Sequence, residues 1–146
     1  MVKNSPVEKL NAYLHKLKTL VSEVDLNGQI YKEGTTAGQI AFHASQTANF
    51  WLKVRILGGT YERDKNSELT TSHTQEEINN SIDSAIAAAE ELGSKDLDLN
   101  EKLKEVVAMS DYELDSVGSA LIFLTAHTGE HVSEITVLRD YISTLK

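Results

Sequence analysis

Two histidines of this 146-residue sequence lie one helical turn apart, a spacing that suits a metal site. A separation of four residues places His127 and His131 on one face of a helix, with Cβ atoms about 5–6 Å apart, so both imidazoles can reach one ion at about 2.1 Å. His43 occupies an apolar seam of an earlier predicted helix and also points inward. The alternative for each histidine is a hydrogen-bonded core residue, and the residues alone leave both interpretations open.

Other metal motifs fit the sequence less well. The zincin pattern H-E-x-x-H fails because Thr128 follows His127. The inverted pattern H-x-x-E-H is matched by residues 127–131, but it belongs to much larger proteases with a third ligand well downstream, and we do not expect it here. A ferritin-like di-iron site needs Glu three residues before a histidine, which no histidine of this chain has. Cysteine is absent, which excludes thiolate ligands and disulfides.

Glu134 is the candidate catalytic residue. It lies seven residues after His127 on the same helical stripe, where a carboxylate can orient a metal-bound water or supply a further ligand. The alternative is a polar residue at the helix edge. Thr47 and Thr128 lie one turn from a histidine and either bond that histidine or, as is commoner, their own helix backbone.

Four amphipathic segments must position these side chains. Their caps and apolar periodicity predict helices over about 6–24, 36–58, 75–93, and from between 112 and 117 to about 144. Residues 60–72 are expected to be a polar loop, His73 to be exposed, and residues 94–115 to form a short helix or a packed crossover. The sequence therefore predicts an all-α four-helix bundle in one domain covering residues 1–146.

Two of these helices resemble the DinB-like superfamily. The segment TAGQIAFHASQTANFWLKVRILGG, residues 36–59, is similar to its second helix, in which an inward histidine precedes a tryptophan by about eight residues, as His43 precedes Trp51. Residues 121–145 resemble its last helix, which carries H-x-x-x-H, a Gly-Gln-Ile-like step and Leu-Arg. Here Ser133 and Glu134 replace the common Gly-Gln.

This superfamily includes YfiT-like metal-dependent hydrolases, bacillithiol transferases and the metal-binding domain of mycothiol-dependent maleylpyruvate isomerase. The resemblance implies a bundle with long crossover connections that holds one divalent ion, such as Zn, Ni or Fe, on His43, His127 and His131. It implies a metal-dependent hydrolase or low-molecular-weight-thiol S-transferase acting on a small-molecule substrate. The alternative is a non-catalytic metal- or ligand-binding stress-response protein.

Charge and hydropathy limit the partners and the location. With 14 basic and 22 acidic residues the formal net charge is −8, which disfavours binding to nucleic-acid phosphates. No apolar run is long enough for a membrane span, and we expect a soluble cytoplasmic protein. Family members are often dimers, and we expect a homodimer that uses apolar side chains near helix ends: Phe50, Trp51, Tyr141 and Ile142.

Overall fold

The computed structural model describes residues 5–29 and 34–145, and within them the chain is predominantly helical, as predicted. The helices are α1 (Glu8–Glu23), α2 (Ala37–Phe50), α3 (Lys65–Glu68), α4 (Gln75–Gly93) and α5 (Val117–Thr144). A π-helical turn, Trp51–Ile56, directly continues α2. Two antiparallel strands, β1 (Lys102–Ala108) and β2 (Glu113–Ser116), complete the described elements. None of the described helices is long and apolar enough to cross a membrane.

Side-chain caps fix where the central helices begin. The hydroxyl of Thr36 accepts from the Gln39 backbone N–H at 3.2 Å, and the Gln39 side chain accepts from the Thr36 backbone N–H at 3.0 Å. Thr74 caps α4 by accepting from the Glu77 N–H at 3.1 Å. Both starts were predicted. The first helix differs, because α1 begins after Val7, which has no side-chain capping bond.

The four longer helices bury their apolar seams in one core. Helix α1 packs on α4 and α5, and α2 also packs on α4 and α5. The apolar residues Leu10, Leu14, Leu17, Leu20 and Val21 of α1 are buried, and a fully buried leucine contributes about 1.5–3 kcal/mol of hydrophobic stabilisation. The fully buried leucine and isoleucine side chains of the described residues are Leu10, Leu14, Leu17, Leu20, Leu52, Ile78, Ile82, Leu92, Leu124 and Ile135. Because α2 and α5 pack together, side chains on their facing surfaces can meet.

The expectation of an all-α chain is corrected at residues 94–115, where a β-hairpin replaces the predicted short helix or crossover. Val107 pairs with Leu114, and Ala108 pairs with Glu113, with an irregularity between Lys102 and Val107. Leu103 and Leu114 are buried, while the lysines and glutamate around Leu103 are exposed. The adjacent β-branched residues Val106 and Val107 favour a strand over a helix in this segment.

The second predicted helix changes its hydrogen-bonding pattern partway along. Its α-helical part ends at Phe50, the π-helical turn follows, and Gly58 ends it with φ of +75°, a left-handed conformation that favours glycine. Trp51 lies in this turn, is only 7% exposed, and packs against Phe123 with ring centroids 4.8 Å apart and the ring planes inclined at 43°. Trp51 is therefore packed within the chain and offers little surface to a second copy.

Candidate metal centre

Three histidines meet where α2 packs on α5. One ring nitrogen from each of His43, His127 and His131 lies within 4.8 Å of the other two. The ring centroid of His43 is 5.3 Å from that of His127 and 5.2 Å from that of His131. All three side chains are partly buried. The predicted convergence of these residues is therefore present in the fold.

The two histidines of α5 face each other through equivalent nitrogens. The Nε2 atoms of His127 and His131 are 3.3 Å apart. Two ligands about 2.1 Å from a tetrahedral zinc ion are separated by about 3.4 Å, so this spacing matches one edge of such a site. The same spacing also allows a hydrogen bond between the two rings if one Nε2 carries a proton. The donor set therefore fits a divalent ion without rearrangement of this pair.

The environment favours the neutral imidazoles that a metal requires. Burial first, and then the charges that His131 and His43 can carry, lower the pKa of His127 from 6.5 to about 4. Burial also lowers the pKa of His43, against the opposing effect of its hydrogen bond to Glu68. Because only the neutral ring offers a lone pair, His43 and His127 are in the binding form at neutral pH.

A buried carboxylate forms a hydrogen bond with Nδ1 of His43. Oε1 of Glu68 accepts from Nδ1 of His43 at 2.9 Å. Arg63 holds the same carboxylate with two bonds, from Nε to Oε2 at 2.6 Å and from Nη2 to Oε1 at 2.8 Å. Among residues 5–29 and 34–145, Glu68 is the one charged residue that is buried, with an exposed fraction of 0%. Its charge is therefore compensated by a paired arginine and by a histidine donor.

The segment carrying Glu68 is fixed to α2 by several contacts. Nη2 of Arg63 also donates to the Thr47 hydroxyl at 2.8 Å. Nε2 of His73 donates to the Glu68 backbone carbonyl at 3.0 Å, and the His73 ring stacks on Phe42 with centroids 4.0 Å apart. The expectation that His73 is exposed is wrong, because its side chain is 4% exposed. His73 therefore links the backbone at Glu68 to the Phe42 side chain of α2.

Sequence reasoning missed Arg63, Glu68 and His73 as parts of this site. They lie in or beside residues 60–72, whose polar composition predicted a solvated loop, and no periodicity marks a four-residue helix such as α3. The one available signal was a pair of opposite charges five residues apart, Arg63 and Glu68. Thr128 behaves as the commoner alternative for such threonines, since it donates to the Leu124 carbonyl of its own helix at 2.8 Å.

Glu134 lies beside a histidine rather than between histidines. Its Oε1 is 2.8 Å from Nδ1 of His131, out of alignment for a hydrogen bond, and its side chain is 52% exposed. Because Nε2 of His131 faces His127, Glu134 contacts the opposite edge of the ring. Nδ1 of His127 is buried, and within residues 5–29 and 34–145 it has no hydrogen-bond partner. His43 is thus the most firmly held of the three rings.

A cleft on the hairpin side reaches one of the three histidines. It has a volume of about 460 Å³, lies between β2 and α5, and is lined by His127. Tyr112, Leu114 and Phe123 give this cleft apolar walls, and Glu130 adds a carboxylate. The cleft is within the size range of small-ligand pockets.

No protein-family model matches this chain, and no curated protein or solved structure matches it. The resemblance to the DinB-like superfamily therefore stays a prediction, carried by the histidines and the tryptophan of two helices. Function has to be argued from the three histidines and the groups around them.

Proposed function

We propose that this protein binds one divalent transition-metal ion through His43, His127 and His131. The observation that carries the proposal is the convergence of one nitrogen from each ring within 4.8 Å. The lowered pKa values of His43 and His127 support it, because both rings are available as neutral ligands at pH 7. Imidazole donors suit zinc, nickel and iron, with no preference that selects one of them.

We further propose that the chain is a four-helix bundle of the DinB-like type. In support, α1, α4, α2 and α5 pack as successive neighbours around the core, with α1 returning to α5. Long connections join these helices, and one of them carries Glu68 while another forms the hairpin. This arrangement places the histidine helices, α2 and α5, side by side, as a three-histidine site requires.

The proposed activity is that of a metal-dependent hydrolase or a low-molecular-weight-thiol S-transferase. An ion held by three imidazoles keeps positions open, where it can lower the pKa of a water towards 7 or bind a thiolate. The cleft beside His127 would admit the small-molecule substrate. Glu134 would accept a proton, which requires its exposed carboxylate to rotate from His131 towards the open positions.

A non-catalytic metal- or ligand-binding protein is the second candidate. The placement of Glu134 favours it, because that carboxylate contacts the outer edge of His131 in this structure. In that case the ion would bind without an acid–base group beside its open positions. The two candidates share the ligands and differ only in whether Glu134 takes part in turnover.

Metal analysis of protein purified without a nickel column tests the shared proposal. We expect about one zinc, nickel or iron per chain, and calorimetric titration of the metal-free protein with Zn²⁺ should give one site. His43→Ala and His127→Ala should abolish that site. His15→Ala is the matched control, since His15 is exposed on α1. Absence of binding, or equal loss in the control, would contradict the proposal.

A homodimer is part of the same proposal. Exposed apolar side chains along α5 support it: Ile122 is 74% exposed, Val137 58% and Tyr141 40%. Because Trp51 is packed inside the chain, the expected contact surface shifts from that residue towards α5. Sedimentation at micromolar concentration should show about twice the 16.1 kDa chain mass, and only single chains would contradict it.

A further inference from the structure

The hydrogen bonds of Glu68 determine which nitrogen of His43 carries a proton. Its Oε1 accepts from Nη2 of Arg63 and faces Nδ1 of His43, while its Oε2 accepts from Nε of Arg63. A carboxylate paired with a guanidinium offers only acceptors, so the 2.9 Å contact requires a proton on Nδ1 of His43. In the neutral ring, Nε2 then carries the lone pair.

We propose that Glu68, fixed by Arg63, is a positioning residue that holds His43 as its Nδ1–H tautomer with Nε2 free to bind a metal. The inference rests on the proposed function in that Nε2 of His43 is taken as one of the three ligands. A carboxylate behind a ligating histidine fixes the orientation of the ring and increases its basicity. The burial of Glu68 and its two bonds from Arg63 limit the motion of this support.

In the part of the chain that the structure describes, the other two histidines lack an equivalent support. Among those residues, Nδ1 of His127 has no hydrogen-bond partner, and Nδ1 of His131 has only the half-exposed, misaligned Glu134. Glu68 is also held through its backbone, where its carbonyl accepts from His73. Because His43 alone of the three has a buried hydrogen-bond partner, Glu68 should affect metal affinity more than Glu134 does. The ring orientation of His43 is fixed before the ion binds.

The tautomer can be measured in the metal-free wild-type protein, without any variant. At pH 8 His43 is neutral, and long-range ¹H–¹⁵N correlation spectra distinguish a protonated from an unprotonated ring nitrogen. We expect His43 to show Nδ1–H, whereas the exposed His15 should show the Nε2–H form that free imidazole side chains favour. A His43 spectrum with Nε2–H overturns the inference, whether or not the protein binds metal.

Two substitutions of Glu68 distinguish the effect of its hydrogen bond to His43 from the effect of its negative charge. Glu68→Gln keeps a carbonyl oxygen that can accept from Nδ1, so we expect it to retain the tautomer. Glu68→Ala removes the acceptor, so the Nδ1–H preference should be lost and Zn²⁺ affinity should fall about 10–100-fold. Glu105→Ala is the matched control, because Glu105 also pairs with an arginine, Arg55 at 2.6 Å, but is exposed. It should change neither measurement.

The outcomes distinguish this inference from the proposed function. If the wild type binds no Zn²⁺, the metal proposal fails while the tautomer spectrum still decides the role of Glu68. If the wild type binds Zn²⁺ and folded Glu68→Ala binds it equally well with an unchanged tautomer, Glu68 does not position His43. If Glu68→Ala does not fold, the wild-type tautomer and its retention in Glu68→Gln decide the question.

Discussion

The Nε2 atoms of His127 and His131 lie 3.3 Å apart across one turn of α5. At this distance the two nitrogens must share a proton or face a common cation, since two bare lone pairs repel and two protons clash. Protonation of His127 is disfavoured first by its burial and then by the charges that His131 and His43 can carry, which lower its pKa to about 4. A divalent ion satisfies both lone pairs at once, which links the geometry of the helix to metal affinity.

Removing the ion should lower thermal stability without unfolding the protein. The apolar core does not depend on the histidines, so helical circular dichroism at 25 °C should stay almost unchanged after chelation. At free metal 100 times the dissociation constant, binding contributes about 2.7 kcal/mol. Each kcal/mol shifts the melting temperature of a domain of this size by about 2–4 °C, so EDTA should lower it by about 5–10 °C.

The same melting experiment has an internal control. His43→Ala should melt at nearly the same temperature with and without Zn²⁺, while His15→Ala should keep the full shift because His15 is exposed on α1. Loss of the helical signal on adding EDTA at room temperature would indicate a structural ion instead. That result would weaken the proposal of a site with open, reactive positions.

Acid should destabilise the metal-free protein through His127. Its pKa is about 4 in the folded state and 6.5 ordinarily, so between these values the unfolded chain binds the proton more readily. Stability is therefore fully present above pH 6.5 and decreases as the pH falls towards 4. The loss should be on the order of 1–2 kcal/mol, because solvent that reaches this half-buried ring weakens the effect.

Urea unfolding of the metal-free protein at several pH values measures this slope. His127→Gln should flatten the dependence of stability on pH between 6.5 and 4, since glutamine does not titrate.

Zn²⁺ binding should also depend on these pKa values. Because the pKa values of His43 and His127 are lowered, both rings should stay neutral and keep Zn²⁺ bound below pH 6, where ordinary histidines lose their metal. Metal loss already complete at pH 6 would contradict these pKa directions.

Helical periodicity explains why the ligands could be predicted from the sequence. The i, i+4 spacing of His127 and His131 fixes their common face, and the apolar residues around His43 place it on the buried side of α2. Two long helices that each bury an apolar face must pack on a partner. Polar residues on those inward faces therefore lie at the contact between the helices. The convergence of the three rings follows from these local facts.

The support of His43 could not be predicted in the same way. Glu68 lies in a one-turn helix whose position depends on Arg63 and on the stacking of His73 against Phe42. These contacts join residues of irregular segments to α2, and no repeat in the sequence encodes them. The hairpin was missed for a related reason, because Leu103 and Val107 fit a helical spacing as well as they fit alternating strand faces.

Gly38 provides a test of how tightly α2 is placed. A Cβ at this position would lie 2.9 Å from the Leu26 carbonyl oxygen, which already accepts from the Gly38 N–H at 2.8 Å. Because that oxygen belongs to backbone, Gly38→Ala must shift the chain, and we expect a loss of about 1–3 kcal/mol. Gly129→Ala is the comparison: its methyl would meet the far end of the Tyr13 ring, which can turn. Urea unfolding should show Gly129→Ala near neutral, and equal losses would contradict this account.

Substitution of Glu134 separates an enzyme from a binding protein. Glu134→Gln removes the proton acceptor while leaving His43, His127 and His131 in place, and the Glu134 side chain is 52% exposed. We therefore expect Zn²⁺ stoichiometry to stay near one per chain. Because the contact of Glu134 with His131 is misaligned and exposed, the affinity should fall by less than the roughly 10–100-fold that loss of a well-formed hydrogen-bond partner causes. If Glu134 is the general base, turnover in an assay of thiol transfer to 1-chloro-2,4-dinitrobenzene, or of ester hydrolysis, should fall about 10²–10⁴-fold.

Ser133→Ala is the control for Glu134→Gln, because Ser133 is the neighbouring residue and is exposed. It should keep both Zn²⁺ binding and turnover. A zinc-loaded wild type that accelerates neither reaction, or a Glu134→Gln variant with undiminished turnover, would contradict the role of Glu134 and favour the non-catalytic alternative.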